Sequence, residues 1–313
     1  MGGSIYTEKM CSITKSLARL ALGTVQFGTN YGVSNKDGIT PEQEVSEILK
    51  YAREKGISLL DTAPSYGISE EVIGKNVGNF PFKIVTKTSI FKKARIEKTD
   101  AMHLKSTFNE SLKRLNRPNV YGVLIHHAND LLADGGEYLW QTMCELKQSG
   151  KVEKIGVSVY SSFDIDSILK KYKPDIIQLP INVFDQRLVK NRYLQFLKRQ
   201  NIEIHSRSVF LQGLLLMPPT EIPCYFEPIK QLIEKYHHEI KNENITPLTA
   251  SLAFVYNQPE IDYIIVGVNS KSHLQEIIRA AEYIELNSNL AQFDYSAYAV
   301  DDEAIINPSL WRL

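Results

Sequence analysis

Four residues of types suited to proton chemistry sit at, or just beyond, the ends of short apolar runs. Asp61 closes Leu59-Leu60-Asp61, Lys87 closes Val85-Thr86-Lys87, His126 follows Leu124-Ile125, and Tyr66 stands shortly after Asp61. A tyrosine with its ordinary pKa of about 10 is a reluctant acid at neutral pH, but an ammonium close by favours the phenolate and lowers that value. A carboxylate beside the lysine holds it charged and aimed, as a buried pair. A histidine can hydrogen-bond an oxygen at the reacting centre and orient it while the tyrosine delivers its proton. Together these side chains suit protonation of a carbonyl oxygen. A hydride to accompany that proton has to come from a bound cofactor, because no side chain supplies one.

The elements that position them are legible as eight short β-branched runs alternating with helix-like stretches. The runs are Leu20–Gly23, Leu59–Ala63, Lys83–Lys87, Tyr121–His127, Lys154–Val159, Ile176–Ile181, Glu203–Val209 and Tyr263–Val268. Each is nearly continuously apolar, as expected of strands buried between a barrel interior and an outer ring of helices. The expected fold is therefore α/β, a (β/α)8 TIM barrel in a single domain spanning residues 17–313, with a C-terminal tail from about Asn287. Residues 1–16 are read as an N-terminal extension whose Met-Gly-Gly-Ser opening looks partly like a cloning remnant. Thr40-Pro41-Glu42-Gln43 predicts a capping box, the stripe Val45, Ile48, Leu49, Ala52 a barrel-facing helix, and Gly56 its end. Leu104, Phe108, Ser111, Leu112 and Leu115 repeat the helical period, and a further helix is expected over Leu248–Tyr256. In such a barrel the carboxyl ends of the strands build the active site, which brings Asp61, Lys87 and His126 to one mouth.

Charge is balanced at 36 basic and 36 acidic residues, so the net field favours neither nucleic acid nor a membrane surface. Three cysteines, Cys11, Cys144 and Cys224, are spaced for neither a disulfide framework nor a metal ribbon, which points to a reducing cytoplasm. No apolar run approaches the roughly 20 residues of a membrane span, and the opening MGGSIYTEKM has no signal-peptide centre. His237-His238-Glu239 lacks the His-Glu-x-x-His spacing and is read as a solvated helix face, so no metal is expected. The Rossmann glycine fingerprint, the Gly-x-Ser-x-Gly elbow, Cys-x-x-Cys and the Walker loop are all absent, and with them the machinery for those chemistries.

From about residue 18 to 283 the chain resembles the aldo-keto reductases. The resemblance is carried in order by Leu22-Gly23-Thr24 with Gln26-Phe27-Gly28, Asp61 with Tyr66-Gly67, Ser69-Glu70, Lys87-Thr88, Leu124-Ile125-His126 and Ile155-Gly156-Val157-Ser158. It continues through Gln178 with Asn182, Gln212-Gly213-Leu214-Leu215 and Ile265-Val266-Gly267. It implies a catalytic set of Asp61, Tyr66, Lys87 and His126, and reduction of an aldehyde or ketone to an alcohol. The implied cofactor is NADPH, with NADH as the second candidate. Ser158 and Gln178 would hold the carboxamide, with Asn182 nearby. Gly23 and Thr24 would border the cofactor, while Gln212, Gly213 and Leu214 would approach its pyrophosphate. Gly267, Asn269 and Ser270, with His273 and Glu276, would meet the adenosine phosphate end, where a helix amino terminus attracts phosphate.

Three departures from the family pattern stand out. Val159 replaces an asparagine beside the carboxamide. Arg207 stands where an aromatic ring commonly stacks on the nicotinamide; a guanidinium can stack there, contributing a charge, or pair with a carboxylate in the mouth. His273 and Ile277 replace residues that often grip the adenosine end, which weakens the case for a 2′-phosphate.

Two rival functions share these residues. Lys87 could form a Schiff base as in class I aldolases, or the barrel could keep its cofactor as a redox sensor or regulatory subunit, as potassium-channel β subunits do. Strand alternation turns His127 away from His126, into packing. Tyr31, Phe91, Tyr160, Phe184 and Phe210 are candidates for an apolar substrate wall. Asn30, His127 and Asp185 lean toward a hydroxylated, sugar-like carbonyl.

Overall fold

In the computed structural model, which describes residues 17–287, 290 and 292–312, eight parallel strands close a barrel in sequential order. They are β1 (Leu20–Gly23), β2 (Leu59–Asp61), β3 (Lys83–Lys87), β4 (Val120–Ile125), β5 (Val152–Ser158), β6 (Ile176–Pro180), β7 (Glu203–Arg207) and β8 (Tyr263–Gly267). All eight expected runs form strands, with ends displaced by a residue or two. The N-terminal extension lies outside the described residues, and Cys11 with it.

Alternation along the strands layers the interior. Ala21, Leu59, Val85, Leu124, Ile176 and Ile265 make an apolar cluster separate from the main core. One step further along the same strand faces come Gly23, Asp61, Lys87, Gln178 and Gly267, all at the carboxyl end. At the opposite end, Glu203 gathers Lys154 at 2.5 Å, the His205 ring at 2.7 Å and the Tyr121 hydroxyl at 2.8 Å. Burial alone would raise the Glu203 pKa, but hydrogen bonds from His205, Lys154 and Tyr121 outweigh it and hold the carboxyl down at about 2.

The outer helices are α1 (Glu42–Glu54), α2 (Ser69–Asn76), α3 (Lys98–Arg114), α4 (Glu137–Gln148), α5 (Ser162–Leu169), α6 (Tyr193–Arg199), α7 (Lys230–Asn242), α8 (Pro247–Tyr256) and α9 (Lys271–Leu286). The expected stripes on α1 and α3 are buried, and α8 is the predicted extra helix. The capping box at Thr40 does not form. Its amide donates to the Gln26 carbonyl at 2.9 Å, tying the segment back to the first loop, and its buried hydroxyl has no partner. The helix begins one residue later, with Pro41 at the N-cap. The tail packs against the barrel's outer elements: Tyr295 donates to Ala250 O at 3.0 Å, Val300 N–H to Phe184 O at 2.8 Å, and Tyr298 packs on Tyr236.

Candidate active site

Tyr66 is positioned by two glycines. Gly67 has φ +56, and a Cβ there would stand 2.2 Å from the Gly28 carbonyl oxygen; a Cβ on Gly28 would lie 1.9 Å from Tyr66 O. The loops after β1 and β2 thus pack backbone against backbone, which explains why glycine ends Gln26-Phe27-Gly28 and follows the tyrosine. Thr24 locks the same junction. Its hydroxyl donates to Asp61 O at 2.9 Å, while the Ser69 hydroxyl reaches Thr24 O at 2.8 Å. Next to Lys87, the Thr86 hydroxyl donates to buried Glu70 at 2.6 Å, and Arg114 pairs with that carboxylate from the other side at 2.8 Å.

At the floor of the mouth, Lys87 Nζ donates to Asp61 Oδ2 at 2.7 Å and to Thr62 O at 3.1 Å. Asp61 Oδ1 accepts from Gln178 Nε2 at 2.7 Å. The Lys87 ammonium lies 5.0 Å from the centre of the Tyr66 ring, and the His126 ring meets that ring edge-on at 6.0 Å. Burial pushes the Lys87 pKa down, but Asp61 and then Tyr66 more than reverse this, so the ammonium is held charged. For Tyr66 the order is the opposite. Burial raises the phenol above its ordinary value and Lys87 only partly pulls it back, so the lowering expected from the lysine is the smaller of two opposing effects. Burial, then Lys87 and Arg207, push His126 down to about 3 and keep it neutral.

These four residues line one cavity of about 910 Å³. Every residue expected to contact the cofactor lines it too, except Leu214 and Ser270. Leu214 is buried in the apolar core. Ser270 faces its own helix, where its hydroxyl caps α9 by accepting the His273 N–H at 3.2 Å. Asn182 is also absent from the wall. Its amide joins loops instead, donating to Ser208 O and accepting from the Phe184 and Asp185 N–H groups.

Gln26, quoted above only as part of a motif, lines the cavity with a buried Oε1 that has no partner. Gly213 has φ +92, and a Cβ there would strike Ser34 Oγ at 1.9 Å; beside it Gln212 O accepts the Val33 N–H. The loop after β1 is thereby clasped to the loop after β7 across the mouth. Of the expected aromatic wall, Tyr31, Tyr160 and Phe210 line the cavity, whereas Phe91 and Phe184 pack elsewhere. Asn30, His127 and Asp185 do not line it. Asp185 is buried against Arg187, and His127 starts the short helix Ala128–Leu132 beside Asp130.

Arg207 enters from the end of β7. It donates to Val159 O at 3.0 Å and to Ser208 Oγ at 3.3 Å, and its guanidinium carbon lies 4.2 Å from the Tyr160 ring centre. Among the described residues no carboxylate pairs with it, so that alternative is not realised. At the far end of the cavity the amino terminus of α9 is partly taken. The Lys271 N–H donates to Glu44 Oε1 at 2.6 Å, and Lys271 Nζ pairs with Glu47 at 2.8 Å. No group of three or more candidate metal ligands occurs among the described residues.

The barrel carries its polar cluster in one cavity at the carboxyl ends of the strands, and comparison with known proteins gives it a family. The model of the Aldo/keto reductase family matches residues 19–293, and the chain belongs to that family. Aldo-keto reductase YhdN of Bacillus subtilis (strain 168) is 28% identical over 212 residues, covering 65% of this chain and 62% of YhdN, so the match spans just under two thirds of that relative. The NADH-specific methylglyoxal reductase of Escherichia coli (strain K12) is 24% identical over 320 residues, covering 89% and 93%. The solved holo form of aldo-keto reductase AKR11C1 from Bacillus halodurans shares the fold with a TM-score of 0.70 at 19% identity, covering 88% of this chain and 90% of that one.

Proposed function

We propose that this chain reduces an aldehyde or ketone to an alcohol, with Tyr66 as proton donor and a reduced nicotinamide dinucleotide as cofactor. One observation carries the reading: a half-buried tyrosine beside a lysine held charged by a buried aspartate, with a neutral histidine edge-on to the tyrosine ring. Bound in the mouth, the cofactor would supply the hydride. Tyr66 would give its proton to the carbonyl oxygen, Lys87 would stabilise the phenolate left behind, and Asp61 would keep Lys87 protonated. His126, being neutral, would donate a hydrogen bond to the same oxygen without competing as an acid.

The cavity suits such a cofactor on its own terms. Gln26 Oε1 is an orphaned acceptor on the wall, and Gly267 leaves the space that a Cβ would take against the Gln26 amide. Ser158 and Gln178 would hold the carboxamide, Gln178 through the oxygen left once its nitrogen serves Asp61. Gly23, Thr24, Gln212 and Gly213 would border the dinucleotide, and Gly267, Asn269, His273 and Glu276 its adenosine end. NADPH came first from the sequence resemblance, but the charges at that end favour NADH. Glu44 already accepts the first amide of α9, Glu47 neutralises Lys271, and Glu276 adds a carboxylate to the wall. A Schiff-base role for Lys87 is opposed by the raised pKa that keeps it from acting as a nucleophile.

Fluorescence titration with NADH and NADPH, followed by oxidation of each in the presence of short aldehydes, tests the reading. Failure of both cofactors to bind a folded sample at millimolar concentration would remove it.

A further inference from the structure

Arg207 is the feature of the mouth that proton chemistry leaves unexplained. Lys87 is neutralised by Asp61, and Lys36 at the rim by Glu221. Asp185, which feels the Arg207 charge, is itself bound to Arg187. Arg207 is therefore the cation at the catalytic end without a carboxylate partner among the described residues. It is close enough for its charge to act on Tyr66, His126 and Tyr31. A guanidinium has five N–H donors, and here one is used by Val159 O and one by Ser208 Oγ. The Tyr160 ring and the Val159 carbonyl hold the group in place.

A half-buried guanidinium held in place at the reacting end of a cavity, with donors to spare and no carboxylate partner among the described residues, is placed to receive a ligand of opposite charge. We propose that the carbonyl substrate carries an anionic group, a carboxylate or a phosphate ester, which Arg207 binds through its remaining donors. The planar fork suits either anion bidentately. Arg207 would border the cofactor as well, so one side chain could serve cofactor and substrate together. This assignment rests on the carbonyl-reductase reading and gives it a substrate class; Asn30, His127 and Asp185, which would favour a sugar, do not line the cavity.

Matched aldehydes that differ only in charge test it. Succinic semialdehyde is set against butanal for the carboxylate, and glyceraldehyde 3-phosphate against glyceraldehyde for the phosphate, each with NADH and with NADPH. A charge-assisted contact in a partly desolvated site should give at least one charged member about 10- to 100-fold higher kcat/KM, expressed mainly in KM and diminished by added salt. The pair that shows the preference identifies the anion. In Arg207→Gln the ratio of charged to neutral kcat/KM should fall to near one, and Arg207→Lys should restore part of it, since it keeps the charge without the fork. Malonate, which cannot be reduced, should compete with the charged aldehyde in the wild type and not in Arg207→Gln. Turnover of all four aldehydes with no charge preference, or a preference that survives Arg207→Gln, overturns this inference while leaving the reductase reading in place. Absence of turnover with every aldehyde overturns both.

Discussion

Replacing Tyr66 with phenylalanine isolates the proton. The ring, its edge-on contact with His126 and its place over Lys87 are kept, and only the hydroxyl is lost. General acid catalysis is worth about 100- to 10,000-fold, and the neighbours decide where in that range the loss falls. His126, pushed down to about 3, carries no exchangeable extra proton at neutral pH. Lys87 has its pKa raised and its ammonium bonded to Asp61 and Thr62 O, so its proton is held. Ser65, 3.5 Å from the His126 ring nitrogen, is a far weaker acid than a phenol. Tyr31, a second phenol on the cavity wall, is pushed up by burial to about 12; with no comparable donor, the loss should reach the upper end, about 10,000-fold in turnover, or about 5 kcal/mol in the barrier. Cofactor affinity should be nearly unchanged. The assay is steady-state oxidation of the reduced cofactor, monitored by its absorbance, with parallel fluorescence titration and a thermal melt to show that the variant is folded. Lys87→Met should behave differently: the donor remains but its pKa rises further without the ammonium, so activity falls and the loss of reduction at high pH shifts to higher pH. Retention of more than about a tenth of wild-type turnover by Tyr66→Phe would refute the reasoning and return Lys87 to consideration as a nucleophile.

Gly213→Ala should strain a backbone with φ +92 and press on Ser34, loosening the clasp between the two loops and weakening cofactor binding by about tenfold; a dissociation constant equal to wild type would show that the clasp does not shape the cofactor groove. Stability should fall as pH drops from neutral. His126 is depressed to about 3, so below its ordinary 6.5 the unfolded chain takes up a proton that the fold refuses, and Glu203, depressed to about 2, loses its contribution as pH falls from its ordinary 4.5 through that value. The Glu203 part is worth at most about 3 kcal/mol, so Glu203→Gln should melt lower at neutral pH yet show a flatter pH dependence in acid; parallel melting curves would contradict this. NADH should be used in preference to NADPH, and the double change Glu44→Gln with Glu47→Gln should narrow the ratio of their KM values by about tenfold as two carboxylates leave the adenosine end; an unchanged ratio would locate the discrimination elsewhere.

The sequence by itself determined the eight strands and the residues that close them. A barrel strand buried on both faces must be a short apolar run, so an aspartate, a lysine or a histidine at its end is conspicuous, and strand order alone carries Asp61, Lys87 and His126 to one rim. Local pattern likewise sufficed for the buried stripes of α1 and α3. What it did not determine were contacts between loops far apart in the chain. Glu44 reaches the amide of Lys271 across 227 positions, and the backbone N–H of Thr40 is tied to the Gln26 carbonyl in the preceding loop while its hydroxyl caps nothing. Asn182, polar and beside a site residue, proved to be a loop brace. The balance of forces on Tyr66 was also beyond the chain alone, because the proximity of Lys87 follows from residue type and strand register, whereas the larger effect, desolvation, depends on how the loops close over the mouth. Whether Arg207 met a carboxylate or stood unpaired was decided in the same way, by which side chains the folded loops brought within its reach.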